Sequence, residues 1–376
     1  MRRKLTSFRS IAVAAGFALL SSVSAQEPTT LANDSATWSF QWENDLFAKG
    51  RYDRYYTNGL RLVYSRAPLA LRDTRDERLF ARYSRWSGGL LCSFTGCDVN
   101  AAAVALDTHG GQNMYTPQNL RRSVPSPYDR PYAGWLYLGN RTRLADLPDD
   151  TMEASRQQAL DLVIGVVGRS AGAGKVQEEW HHLVNAIDPQ GWSYQLKTEP
   201  TIQISYTRTK RVVLGSLFDA LPYGRLTAGN VFTHAAIGTQ LRWGRSLRGF
   251  GHFDPAPSAV PYAFVPFDTP SVEASRRQPR DDSPLYAFVS VEGRAVARNL
   301  FIDGNTFRNY PEVSYIQRRP LVGDVTIGFS ARVWGTARVT YGHTWRSAEF
   351  KQRRPPPEEP RPATQRYGVI QIQWET

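Results

Sequence analysis

The sequence predicts an all-β protein, a twelve-stranded antiparallel transmembrane β-barrel with a short helix in one outer loop. Three observations predict it. Segments alternating apolar and polar side chains recur along the chain, each about 9–12 residues long and so able to cross a bilayer when tilted. Their number is even, which lets an antiparallel sheet close without edges. The supply of 10 Trp, 18 Tyr and 17 Phe suits girdles at the two membrane interfaces.

The chain opens with Arg2, Arg3, Lys4 and Arg9, an apolar run from Ile11 to Leu20, and the small-residue site Val23-Ser24-Ala25. That order predicts a secretory signal peptide over 1–25, leaving 26–376 as the barrel. No later segment approaches the ~20 continuous apolar residues of a spanning helix. Lys and Arg number 46 against 34 Asp and Glu. On an exported chain this excess is expected to meet anionic lipid phosphates, not nucleic acid. Cys92 and Cys97 are expected to pair as a local staple, because export permits disulfides and no neighbouring His completes a metal set.

The first strand pair lies in residues 37–66, where Trp38, Phe40 and Trp42 alternate with Ser39, Gln41 and Glu43, and Leu60, Leu62 and Tyr64 with Arg61, Val63 and Ser65. Further strands are expected at 98–107, 133–143, 157–168, 201–208, 222–231, 234–244, 284–296, 323–333, 336–347 and 366–375. In a soluble sandwich their apolar faces would turn inward; in an outer-membrane barrel they turn to lipid and the polar faces line the lumen. With both termini in the periplasm, the outer loops fall at 46–56, 108–132, 169–198, 231–233, 297–322 and 348–365. The longest periplasmic connections are 67–97 and 245–283.

Two outward clusters carry possible chemistry. Lys175–Ile187, KVQEEWHHLVNAI, places Val176, Trp180, Leu183, Val184 and Ile187 on one helical stripe, with Glu178, Glu179 and His182 opposite. Glu178 at i,i+4 can raise the basicity of the His182 ring; the same pattern also fits a solvated lid helix. His181 sits nearer the apolar flank and reads as packing. The second cluster is Asn44, Asp45 and Thr57; if both strands persist that far, Glu43, Asp45 and Thr57 share lumen-facing parity while Asn44 points the other way. Its carboxylate, amide and main-chain oxygens suit a hard cation such as Ca²⁺, and equally fit ordinary turn chemistry. GQNMYTPQNL, YDRPYAGWLY and FIDGNTF read as rigid junctions. No phosphate loop, zinc motif or serine elbow is present.

Together, WENDLF (42–47), DRYYTNGLRL (53–62), GQNMYTP (111–117), DRPYAGWLY (129–137), the WHHL helix with GW and EP after it (180–200) and ARNLFIDGNTF (297–307) resemble the outer-membrane lipid A 3′-O-deacylases. The resemblance implies a monomeric twelve-stranded barrel integral to the outer membrane that removes the 3′-linked acyloxyacyl chain of lipid A, the lipid anchor of lipopolysaccharide. It implies a site between the barrel wall and an outer-loop helix, where a histidine activates water and bound Ca²⁺ serves the oxyanion. Carried over by position, the histidine is His182, the second residue after the helix Trp. Asn44 and Thr57 act beside it, and Asp45 with Asn44 holds the metal. The family's lipid-phosphate lysine has no match. The rival reading is a non-catalytic pore or surface-binding barrel; a serine phospholipase ranks last.

Overall fold

The computed structural model describes residues 36–47, 54–72, 77–146, 156–184, 186–247, 249–250, 284–311, 313–333 and 337–375. The expected leader at 1–25 and most of the connection 245–283 lie outside the described residues.

Twelve long strands form the wall. They are β1 (Ala36–Asn44), β2 (Tyr55–Arg66), β3 (Ala102–Thr116), β4 (Ala133–Asp146), β5 (Arg156–Val167) and β6 (Glu199–Lys210). The second half holds β7 (Phe218–Gly229), β8 (Phe232–Gly244), β9 (Leu285–Asn299), β10 (Leu321–Val333), β11 (Ala337–Arg346) and β12 (Gln365–Glu375). Each pairs antiparallel with its neighbours in sequence. The ring closes where β1 pairs β12, Trp38 opposite Trp374 and Trp42 opposite Ile370. Closure satisfies every wall strand on both sides, the condition for crossing a hydrocarbon layer.

Period-two alternation sorts the two faces. Along β6, Thr201, Gln203, Ser205 and Thr207 are buried while Ile202 and Ile204 are exposed. The apolar residues that would be a core in a sandwich are therefore the outer surface. The lumen is packed with paired charges. Asp219 accepts from Arg242 at 2.6 Å and Arg211 at 2.8 Å. Asp324 lies between Arg294 at 3.0 Å and Arg346 at 2.6 Å, and Asp107 takes Arg143 at 2.8 Å and Ser65 at 2.6 Å. The flanking guanidinium groups offset the cost of taking these carboxylates out of water. These groups are nearly fully buried, so the described interior is filled with side chains.

The outer end is stoppered by aromatic rings. A single helical turn after β9 runs Leu300–Asp303 and is capped by Asn299, whose side-chain oxygen accepts from the Phe301 amide at 3.1 Å. It drives Phe301 into the lumen to stack on Tyr115 at 3.8 Å. Above it, Glu349 accepts from Gln365 at 2.6 Å and Arg130 at 3.2 Å. Burial alone would raise its pKa; Arg130 and Arg346 hold it below the usual carboxylate range.

Two expectations are corrected. The strand expected at 98–107 runs Ala102–Thr116, so most of GQNMYTP lies on the wall and not in a loop. Its lumen face carries His109, Asn113 and Tyr115, and polar residues on both faces with two glycines hide the alternation. The 67–97 connection, expected as a long turn, contains helix α1 (Leu79–Thr95), ended by Gly96 at φ 69°. The staple forms as expected, Cys92 to Cys97, just across that helix end.

Candidate active site

The site is built where β1 and β2 run out at the stoppered end. Trp38, Phe40 and Trp42 face outward, and Asn44 follows them by parity, opposite Asn58. Glu43 faces the other way, into the lumen, where Tyr56 and Gln41 donate to it. Asp45 lies beyond the strand, in the 3₁₀ turn Asp45–Phe47. Its Oδ2 accepts from the Arg54 amide at 2.9 Å, which ties the two ends of the hairpin loop.

Thr57 reaches the same outer face by a different device. The β2–β3 register shifts between Tyr56 and Asn58, so Thr57 is an extra residue in a bulge. Tyr56 stays in the lumen, whereas Thr57 joins the outward Thr116, hydroxyl to hydroxyl at 2.7 Å. The lumen-facing parity expected for Asp45 and Thr57 is thus corrected, because a strand end and a bulge both break the period of two. Asn58 fixes the neighbourhood, accepting from Trp42 Nε1 at 2.9 Å and from Asn44 Nδ2 at 3.4 Å.

Helix α2 (Ala173–Val184) lies over these residues on the outside of the wall. Gly134 makes the close approach possible: a Cβ there would stand 2.4 Å from the Ala173 Cβ. Gln112 Nε2 donates to the Ala171 carbonyl at 2.6 Å, and Trp180 meets Trp42 edge-on at 5.4 Å. With Ala173 set on the wall, the helical repeat turns Gln177 and His181 inward, four and eight residues on. Both are buried. Asn44, Asp45, Thr57, Asn58 and Met114 from the wall, and Val176, Gln177, Trp180 and His181 from the helix, enclose a cavity of about 20 Å³, room for a water.

His181 is held in one tautomer. Its Nδ1 contacts the Ile187 carbonyl, which can only accept, so Nδ1 carries the hydrogen. Nε2 keeps its lone pair and lies 3.4 Å from Gln177 Nε2. Gln177 is itself oriented by Trp192, whose Nε1 donates to Oε1 at 2.7 Å. The chain from indole to amide to imidazole thus fixes the ring, with Nε2 accepting from the Gln177 amide at the edge of the cavity.

His182 does not join this group. One residue further round the helix, its side chain is 58% exposed and lies 3.3 Å from Asp188, in place of the expected Glu178. Leu183, expected on the packing stripe, is 76% exposed. The reason is that α2 packs on a polar rim and not on an apolar core, so its buried line is Ala173, Gln177 and His181. The sequence signal that would have found it is the small residue at Ala173, opposite Gly134. Asn44, Asp45 and Thr57 are brought together as expected. Their amide, carboxylate and hydroxyl oxygens fit a hard cation in kind. Among the described residues no three His, Cys, Asp or Glu side chains converge. Any cation here would rest on one carboxylate, neutral oxygens and water.

A family model described as outer membrane protein LpxR matches residues 11–376. No curated protein sequence matches. Among solved structures, LpxR from Salmonella typhimurium superposes with a TM-score of 0.62 at 17% identity, covering 90% of this chain and 99% of that one. The β-domain of the Bordetella autotransporter BrkA is less alike, with a TM-score of 0.40 at 8% identity, 91% of this chain and 99% of that one being covered. The first likeness shows a shared fold, the closed β-barrel. With the family model spanning nearly the whole sequence, the chain belongs to the LpxR family of outer-membrane proteins, the lipid A deacylase family that its motifs resemble.

Proposed function

We propose that this chain is a lipid A 3′-O-deacylase, an esterase that hydrolyses the 3′-linked acyloxyacyl ester of lipid A in the outer leaflet. The observation that carries the reading is the location of the cavity. His181, Asn44, Asp45 and Thr57 meet on the lipid-facing side of the wall, under α2, while the lumen behind them is filled. A lipid can bring its ester to this point with its acyl chains still in the bilayer, and water enters from the rim.

In this reading His181 takes the role that position alone assigns to His182. When water takes the place of the Gln177 amide at His181 Nε2, that nitrogen accepts its proton as the water oxygen bonds to the ester carbonyl carbon. The tetrahedral intermediate then collapses, the bond to the sugar 3′ oxygen breaks, and that oxygen takes the proton back from Nε2. The products are a 3′-hydroxyl and a free acyloxyacyl acid. The Ile187 carbonyl holds the ring in place and stabilises the transient imidazolium. Asn44 and Thr57 orient the ester against the wall. Asp45 and Asn44 would hold Ca²⁺, which supplies positive charge where the carbonyl oxygen becomes anionic. The working unit is the single barrel. The pore alternative gains nothing from a lumen crossed by buried ion pairs.

The test is mass spectrometry of lipid A from cells expressing the chain. Loss of the 3′ acyloxyacyl group is expected. Unchanged lipid A, with the barrel inserted and heat-modifiable on a gel, overturns the reading.

A further inference from the structure

We propose that α1 is an interfacial membrane helix, its exposed apolar face seated among the phospholipids of the periplasmic leaflet. Three observations carry this.

The first is where the helix packs. Its inner face is made of small residues, Ala81, Ser84, Ser87 and Gly88, with Leu91 and Cys92. A Cβ on Gly88 would come within 2.8 Å of Val104 Cγ2. Val104 pairs with Leu144 in register, and both lie on the face that carries Leu136 and Leu138, the outer face. So α1 lies outside the barrel, against its lipid-facing surface. Arg66 over the Phe80 ring at 4.5 Å fixes its start, and the Cys92–Cys97 disulfide closes its end.

The second is what the helix leaves uncovered. Leu79, Tyr83, Trp86, Leu90 and Phe94 fall on one stripe at 3.6 residues per turn. All are exposed, Trp86 by 63% and Phe94 by 79%. In water this would be a large apolar aromatic patch. Arg78 and Arg82, both exposed, share one flank, where cations meet lipid phosphates. An apolar stripe beside a basic flank is the pattern of a helix lying in a bilayer interface.

The third is depth. α1 and α2 touch the same wall at opposite ends, α1 at Val104 and α2 near Met114. Ten strand residues span about 33 Å, or about 25 Å along the axis of a tilted barrel, the height of its apolar band. With the active-site helix at one interface, α1 falls at the other. Its apolar stripe continues the surface formed by Leu136, Leu138, Leu162 and Ile164.

The test uses the full chain in phosphatidylethanolamine–phosphatidylglycerol vesicles whose acyl chains are brominated either near the ester or near the methyl end. The Trp86 emission is isolated as the difference between wild type and Trp86→Phe. It is expected to fall by about half or more with bromines near the ester end, and less with the deeper ones, as for a residue just below the headgroups. Phe94→Trp in the Trp86→Phe background should behave alike, and supplies the measurement if the difference signal is small. Emission unaffected by either lipid but quenched by aqueous iodide overturns the proposal. Shielding from both quenchers together with a cross-linked dimer overturns it in favour of a second copy.

Discussion

The ring of His181 faces the barrel wall while that of His182, the next residue, stands outside, 3.3 Å from Asp188. Adjacent residues on a helix differ by about 100°, so one contact sets which of the two points at the wall. That contact is Ala173 on Gly134. Replacing His181 with Ala should lower deacylation by about 10²–10⁴-fold, the range for a lost general base. His182→Ala should stay within about twofold, since its partner is a half-exposed surface carboxylate. Ester release by the purified barrel checks both, with heat-modifiability as the folding control. A dead His182→Ala enzyme beside an active His181→Ala would reverse the assignment.

Gly134→Val should separate the site from the fold. The barrel would still close, because position 134 faces outward opposite Met114. The added side chain would push Ala173, and α2 with it, off the wall. A displacement of about 1 Å at a reacting centre can cost on the order of 10²-fold. Activity should therefore collapse while the folded band on a gel is unchanged. Normal turnover in this variant would mean that the helix is not docked as described during reaction.

The barrel itself was legible in the sequence because lipid-facing alternation is a period-two signal, and β6 and β12 carry it plainly. Asn44, Asp45 and Thr57 were legible as a cluster, and Asn44 in its direction too, but Asp45 and Thr57 were not. A bulge at Thr57 and a strand end at Asp45 are single-residue events that no periodicity records. His181 was hidden for a different reason. The apolar stripe of a helix marks its buried side only when the surface beneath is apolar, and here that surface is Asn44, Thr57 and Gln112. The helix α1 went unread because its two faces, one small and one aromatic, do not contrast as apolar against polar.

Chelation tests the cation. EDTA should abolish deacylation, with Ca²⁺ restoring it better than Mg²⁺, since flexible oxygen sites favour the larger ion. A binding readout free of turnover is the thermal shift of the His181→Ala barrel on adding Ca²⁺. That shift should vanish when Asp45→Asn is added, because among the described residues Asp45 is the one carboxylate lining the cavity. A shift that survives Asp45→Asn would place the ion elsewhere.

The outer loops predict a pH dependence of their own. Asp129 accepts from the Gln118 amide at 2.7 Å and the Arg130 amide at 2.8 Å, pinning the end of GQNMYTP to the start of DRPYAGW. Burial nevertheless pushes its carboxyl up to about 6, against an ordinary value of 3.8. A carboxyl with a raised folded pKa binds its proton more tightly in the native state. Its contribution to stability is therefore greatest below about 4 and declines as pH rises through about 6. Two pKa units set an upper bound of about 3 kcal/mol on that decline. Asp129→Asn removes the titration at the cost of one acceptor, which is a constant offset. The denaturation midpoint of the variant relative to wild type should thus climb between pH 4 and 7 and level off above. A difference that is flat across this range, or that falls, would mean Asp129 is ionised at no cost in the folded loop.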